Sequence, residues 1–271
     1  MMSRGAWLAG LVVVLGVGAG GCSSDGEALK SVGSVAPPVG AASASPSESR
    51  TPLQILLAGV PTESSPIYHY AIGADSGVID PVDKIAELVG VQHFTGPSYT
   101  ETTTTLLSKD RSWLKVKDVP AEPAGLEPMP KKWMALDSRK IKSADGKPFV
   151  YGAESDPGYT NEVFENASEA NQTSPGHFAG VTDLSGTKAD HVLTAAQLKA
   201  LGAKAAHLSF TATLDNQGRL TTTTVQLPAA GKTKATKIVI TYDRYGAVAK
   251  PKLPTAAETI KAPSYIYDMY W

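Results

Sequence analysis

The chain has 271 residues, 42% hydrophobic and 19% charged, and its 25 basic and 26 acidic side chains leave a formal charge of −1. That balance excludes a dedicated nucleic-acid binder, which carries a basic stripe, and gives no case for a polybasic membrane patch. The single Cys, Cys22, excludes an intramolecular disulfide and a thiolate zinc site.

Met1–Arg4 is a short basic start, and residues 6–19 follow without a charge. Fourteen residues of helix rise about 21 Å, too short for a hydrocarbon core of roughly 30 Å. A short apolar run behind a basic start is a signal peptide, expected over residues 1–21. Ala19-Gly20-Gly21 then precede Cys22. Small residues before a Cys resemble a bacterial lipobox, although Ala19 stands where such motifs usually carry Leu. The resemblance implies a diacylglyceryl thioether on the Cys22 thiol and cleavage after Gly21. The expected location is the extracytoplasmic face of the cell membrane, held by acyl chains whose burial stabilises by about 0.8 kcal/mol per methylene. The alternative is an ordinary secretory signal in which Cys22 has no such role.

Residues 22–50 read as a lipidated, flexible tether rich in Ser, Ala, Gly and Pro, with no aromatic residue. A random-coil estimate gives it a mean reach of roughly 30 Å. Residues 51–271 have ordinary apolar density and no internal repeat, and are expected to fold as one domain.

The pattern from Thr51 onward is mainly β. Residues 52–60 suit a helix or a strand. Residues 64–74 alternate as a strand, and 77–94 stay ambiguous, with Pro81 breaking any helix. The Thr-rich run 98–110 and the run 111–119 read as two strands turning at Lys109–Arg111. Residues 119–135 carry four Pro and read as a loop or extended arm. Asp156-Pro157-Gly158 is a turn, followed by a weak helical pattern at Val163, Phe164 and Ala167. Residues 176–186 read as a strand and 194–205 as a helix with Leu198 and Leu201 on one face.

The clearest stretch is 206–245. Leu208, Phe210, Ala212 and Leu214 alternate against polar residues, Asp215–Gly218 turns, and 219–227 returns with Leu220 or Val225 facing in. Residues 237–243 form a further strand. Pro251 and Pro254 then lead the chain away from the ladder. The tail 264–271, with three Tyr and Trp271, reads as a last strand docking on the sheet, or as a partner contact.

The order of features in 176–254 resembles secreted lipoproteins of the LppX/LprG type, relatives of the LolA/LolB lipoprotein carriers. The stretch FTATLDNQGRL resembles their hairpin, and ITYDRYGAVAKPKLP their closing strand. The resemblance implies an α+β, mainly β fold: a strongly curved antiparallel half-barrel with helices on its concave side. It also implies acyl-chain binding between sheet and helices. Leu198, Leu201, Leu208 and Phe210 are the expected lining, because apolar transfer is worth about 25 cal/mol per Å². The same four residues also suit a closed core.

No G-x-S-x-G, H-E-x-x-H or P-loop occurs. His69, His93, His177, His191 and His207 lack ligand spacing and read as surface or strand residues. Asp80, Asp83, Asp183 and Asp190 read as turn or surface residues. The sequons at Asn166 and Asn171 are chance matches beside a bacterial lipobox. The expectation is therefore a membrane-anchored lipid or amphiphile binder without catalytic residues, cofactor or metal. The alternative is a surface-tethered module or sensor that binds an envelope protein. An envelope enzyme is the third and weakest reading.

Overall fold

Thr51 and Pro52 start the first helix by local chemistry alone. Thr51 Oγ1 accepts from the Gln54 amide at 3.3 Å while Gln54 Oε1 accepts from the Thr51 amide at 2.8 Å. Pro52 supplies the helical φ at the first turn. The result is α1 (Pro52–Gly59). The computed structural model describes residues 50–95, 98–120, 128–141, 149–152, 155–186, 191–231 and 233–271. The signal segment, Cys22, the tether as far as residue 49, and Asp190 lie outside the described residues.

Two antiparallel meanders build the sheet. The first comprises β1 (Tyr68–Ile72), β2 (Asp75–Asp80), β3 (Ile85–Phe94), β4 (Tyr99–Leu107), β5 (Ser112–Val119) and β6 (Trp133–Ala135). The second, β7 (Ala167–Ser174), β8 (His177–Thr182), β9 (Leu208–Leu214), β10 (Leu220–Leu227) and β11 (Thr236–Asp243), pairs with the first through β1 and β11. A last strand, β12 (Thr259–Lys261), lies parallel to β6. The sheet thus has twelve strands in the order β12-β6-β5-β4-β3-β2-β1-β11-β10-β9-β8-β7 and is open at both ends. The expectation of an all-antiparallel sheet is corrected by β12. A strap over 244–258 carries the chain from the middle of the sheet to its far edge. No hairpin then dictates the direction of β12.

Residues 77–94 are two strands, with a turn at Pro81–Lys84 and a positive φ at Lys84. Their pattern is ambiguous because neighbouring residues are buried on both faces: Val78 and Ile79, then Ile85 and Ala86. The choice between Leu220 and Val225 resolves as both. The β9–β10 register shifts between Leu220 and Thr222, a bulge that moves later odd-numbered residues onto the inner face. Leu220, Thr223 and Val225 are all fully buried. Within the Pro-rich stretch, Trp133–Ala135 form the short β6.

Three further helices are short. α2 (Thr160–Glu165) precedes β7, which takes up Ala167. α3 (Ala195–Leu201) has the same reciprocal cap as α1, from Thr194 and Gln197. The tail is a helix, α4 (Ser264–Tyr270), and not the expected strand. Its Ile266, Tyr267 and Tyr270 sit at spacings of one and three, which places them on one buried helical stripe.

Candidate functional site

Residues paired directly across neighbouring strands share a face of the sheet. One such line joins Tyr242, Tyr70, Gly77, Leu88, Thr105, Leu114 and Met134 from β11 to β6. Another joins Phe178, Ala212, Thr223 and Ile240 across the second meander. Two buried apolar clusters lie on this face. The larger combines Tyr70, Leu88, Phe178, Ala212 and Ile240 with Leu56 of α1, Phe164 of α2 and Leu201 of α3. The smaller combines Leu114, Val116 and Met134 with Ile266, Tyr267 and Tyr270 of α4. Phe149 packs against both.

The four residues expected as pocket lining all belong to the larger cluster. Leu208, Phe210 and Leu201 are buried in it, and Leu198 packs half-buried at its margin. The Phe210 ring meets Phe164 of α2 with centroids 5.6 Å apart.

Beside them lies a polar clamp that the sequence announces only as a turn. The Asp156 carboxylate accepts from Tyr242 Oη and from Thr160 Oγ1, the latter at 3.0 and 3.1 Å to its two oxygens. It also accepts from the Asn161 amide at 2.9 Å. Tyr68 Oη donates to the Ser155 carbonyl at 2.6 Å. Burial pushes the Asp156 carboxyl above its ordinary 3.8, and the hydrogen bonds from Tyr242, Asn161 and Thr160 oppose this. Burial likewise holds the phenols of Tyr68 and Tyr242 well above 10, helped by the nearby Asp156 charge. Both carboxylate oxygens are engaged by donors, so the group suits a clamp that pins the 155–161 turn to β1 and β11 rather than proton transfer. Gly158 makes that approach possible, since a Cβ there would stand 2.4 Å from Tyr242 Oη and from Ile240.

His191 is the histidine that departs from the surface reading. Its Nδ1 lies 2.6 Å from Glu162 Oε1, and its ring stacks on Tyr159 at 4.4 Å. The side chain is only 10% exposed. No spacing rule finds a pair that is 29 residues apart. His69 pairs with Asp243 at 2.9 Å, and His93 with Thr100 Oγ1 at 2.9 Å. His177 stands 3.5 Å from Thr213 Oγ1. Asp80 and Asp83 both approach Lys250 of the strap, and Asp183 Oδ1 accepts from Ser185.

Two clefts open elsewhere on the sheet. One of about 650 Å³ lies between β5, β6, β12 and the strap, lined by Trp113, Leu136, Asp137, Pro254 and Ile260 among others. The second, about 490 Å³, lies by the β10–β11 connection and is lined by His207, Ser209, Gln226, Leu227, Pro228, Ala235, Thr236 and Lys237. No protein-family model matches the chain, and no curated protein sequence matches it.

Proposed function

We propose that this chain is an envelope lipoprotein of the LppX/LprG type, anchored through Cys22 on the extracytoplasmic face of the membrane. It binds or carries a lipid or similar amphiphile between its sheet and its helices and has no catalytic role. The observation that supports this best is the pair of apolar clusters on one face of a single open sheet, each closed by short helices. An acyl chain entering between α3 and the sheet replaces contacts of Leu198 and Leu201 with contacts of the same chemistry. Such an exchange returns about 25 cal/mol per Å² of apolar surface taken from water. Leu53, Leu57, Val192 and Ile238, all partly buried, fringe the same cluster and extend the apolar margin.

The proposal includes a strong inward curvature, with the helices on the concave side. Two glycine–aromatic pairs support it. A Cβ on Gly77 would stand 2.7 Å from the Tyr70 ring, and one on Gly180 would stand 2.6 Å from the Phe210 ring. Tyr70 faces Gly77 in the register of β1 and β2, as Phe210 faces Gly180 in that of β8 and β9. Glycines covered by a cross-strand ring are a device by which sheets bend.

The test is native mass spectrometry of the protein purified from a membrane-containing host, before and after organic extraction. The expected result is a covalent diacylglyceryl mass that survives extraction and a stoichiometric lipid mass that does not. A chain with no extractable mass, and no uptake of added phospholipid, overturns the carrier reading and favours a tethered protein-binding module.

A further inference from the structure

A neutral overall charge conceals a local segregation. In the described residues from His191 to Tyr242 the only carboxylate is Asp215, and Arg219 pairs with it at 2.7 Å. That pair sits at the β9–β10 turn. Lys199, Lys204, Lys234 and Lys237 lie toward the opposite end of the same strands, and all four are exposed. They come from α3, from the turn that follows it, and from the β10–β11 hairpin. Lys204 Nζ donates to the Ala229 carbonyl at 2.8 Å, which joins the α3 side of this group to the hairpin side. Among the described residues no carboxylate pairs with any of the four. The nearest carboxylates along the chain path are Asp183, directly after Thr182 of β8, whose Oδ1 accepts from the Ser185 amide and hydroxyl, and Glu162 of α2, which pairs with His191. Asp75 on β2 and Glu169 on β7 lie two strands beyond the β9–β11 group, roughly 10 Å away.

Lys237 lines the polar wall of the 490 Å³ cleft together with His207, Ser209, Gln226 and Thr236. Lys234 precedes its Ala235, and Lys204 reaches Ala229 beside its Pro228, while Lys199 lies one helical turn before the segment that carries Lys204. This wall offers hydroxyl, amide, imidazole and ammonium donors and no carboxylate, which is the chemistry that receives phosphate oxygens.

The first described residues, before α1, lie at this end as well. A Cβ on Gly59 would meet the Gly218 carbonyl at 2.8 Å, so α1 ends at the β9–β10 turn. The body of α1 packs on α2. α2 in turn is fixed to the Leu208 end of β9, because the Val163 carbonyl accepts from Thr182 Oγ1 and Thr182 faces Leu208. The chain therefore enters α1 from the side of the lysines.

We propose that Lys199, Lys204, Lys234 and Lys237, grouped beside the His207–Lys237 cleft, dock the domain onto the phosphate plane of an anionic phospholipid bilayer. The proposal rests on the anchoring at Cys22 proposed above. Each lysine brought to an anionic surface raises partitioning about fivefold. A tether with a reach of roughly 30 Å keeps the local lipid concentration high, so a modest electrostatic contact suffices. Docking in this orientation also brings α3, with Leu198 and Leu201 on the same segment as Lys199 and Lys204, to the membrane surface where an amphiphile would be exchanged.

The test is lysine acylation with a short pulse of acetic anhydride, using the full-length protein as matured in its host and reconstituted in vesicles. Phosphatidylglycerol–phosphatidylethanolamine vesicles are compared with phosphatidylcholine vesicles. Lys84 and Lys109, at the β2–β3 and β4–β5 turns on the opposite end of the strands, serve as controls. The expected result is acylation of the four lysines at least fivefold slower in the anionic vesicles, with both controls unchanged. About 0.5 M salt abolishes the difference, since the screening length falls to a few ångströms. In the K199Q/K234Q/K237Q variant, Lys204 regains its phosphatidylcholine rate. Equal rates in the two lipids overturn the proposal. So does protection by inorganic phosphate in phosphatidylcholine vesicles when anionic lipid gives none. Flotation separates the two readings. A protein that stays with phosphatidylcholine vesicles in high salt carries its anchor whatever its lysines do, and one that floats with neither lipid overturns both.

Discussion

Asp156 shows how one side chain couples turn, sheet and pH. Burial raises its folded-state pKa above 3.8, so the folded chain binds this proton more tightly than the unfolded chain does. Its contribution to stability is largest below pH 3.8 and is lost as pH rises through the folded value. Asp156→Asn should remove that part of the fall in melting temperature. Tyr242→Phe, which deletes an opposing hydrogen bond, should extend the fall to higher pH. Thermal melts across pH for the three proteins check both directions, and superimposable profiles would refute the assignment. Asp156→Ala is a different experiment, because it leaves the Tyr242, Thr160 and Asn161 donors without an acceptor. It should cost at least about 2 kcal/mol in chemical denaturation.

At the scale of elements, close backbone approach and capping carry the argument. A Cβ on Gly77 would stand 2.0 Å from the Glu87 carbonyl oxygen, and one on Gly180 would stand 2.1 Å from that of Glu169. Neither oxygen can retreat without breaking its ladder, so Gly77→Ala and Gly180→Ala should each cost about 3 kcal/mol. Thr51→Ala and Thr194→Ala remove only a cap and should cost about 1 kcal/mol each. A ranking in which the cap variants are the more damaging would contradict this account. The apolar run 52–60 suits helix or strand, and the Thr51–Gln54 cap settles it as a helix. The β9–β10 hairpin is legible in the sequence, because its pairs lie no more than fifteen residues apart along the chain. The tail is not. Its Tyr and Trp residues suit a strand or a helix equally, and the decision falls to Leu114, Val116 and Met134, which offer α4 a surface about 150 residues upstream.

For the molecule as a whole, the unequal size of the two clusters predicts unequal local stability. The larger draws on both meanders and on α1, α2 and α3, whereas the smaller depends on β5, β6 and α4. Amide exchange should therefore be faster in β5, β6 and α4 than in β9, β10 and β11. Ile266→Ala should cost about 2–5 kcal/mol and widen that gap, as read by the same exchange experiment. Uniform protection across all twelve strands would refute the division. The strap over 244–258 holds the two parts together. Gly246 donates to the Ile67 carbonyl, Lys250 pairs with Asp83, and the Ala257 carbonyl accepts from Lys132 beside β6.

The sequence by itself determined whatever is periodic or local. That includes the mainly β character, the hairpin at Asp215–Gly218, the helix over 194–205, and the apolar set of Leu198, Leu201, Leu208 and Phe210. Only the tertiary structure decided what depends on pairs distant along the chain. The Asp156–Tyr242 clamp spans 86 residues and the His191–Glu162 contact 29, and neither distance carries a pattern. The parallel β12 follows from a strap that has no turn to set its direction. The grouping of Lys199, Lys204, Lys234 and Lys237 follows from strand order, which collects charges at one end of a sheet while a net charge of −1 averages them away.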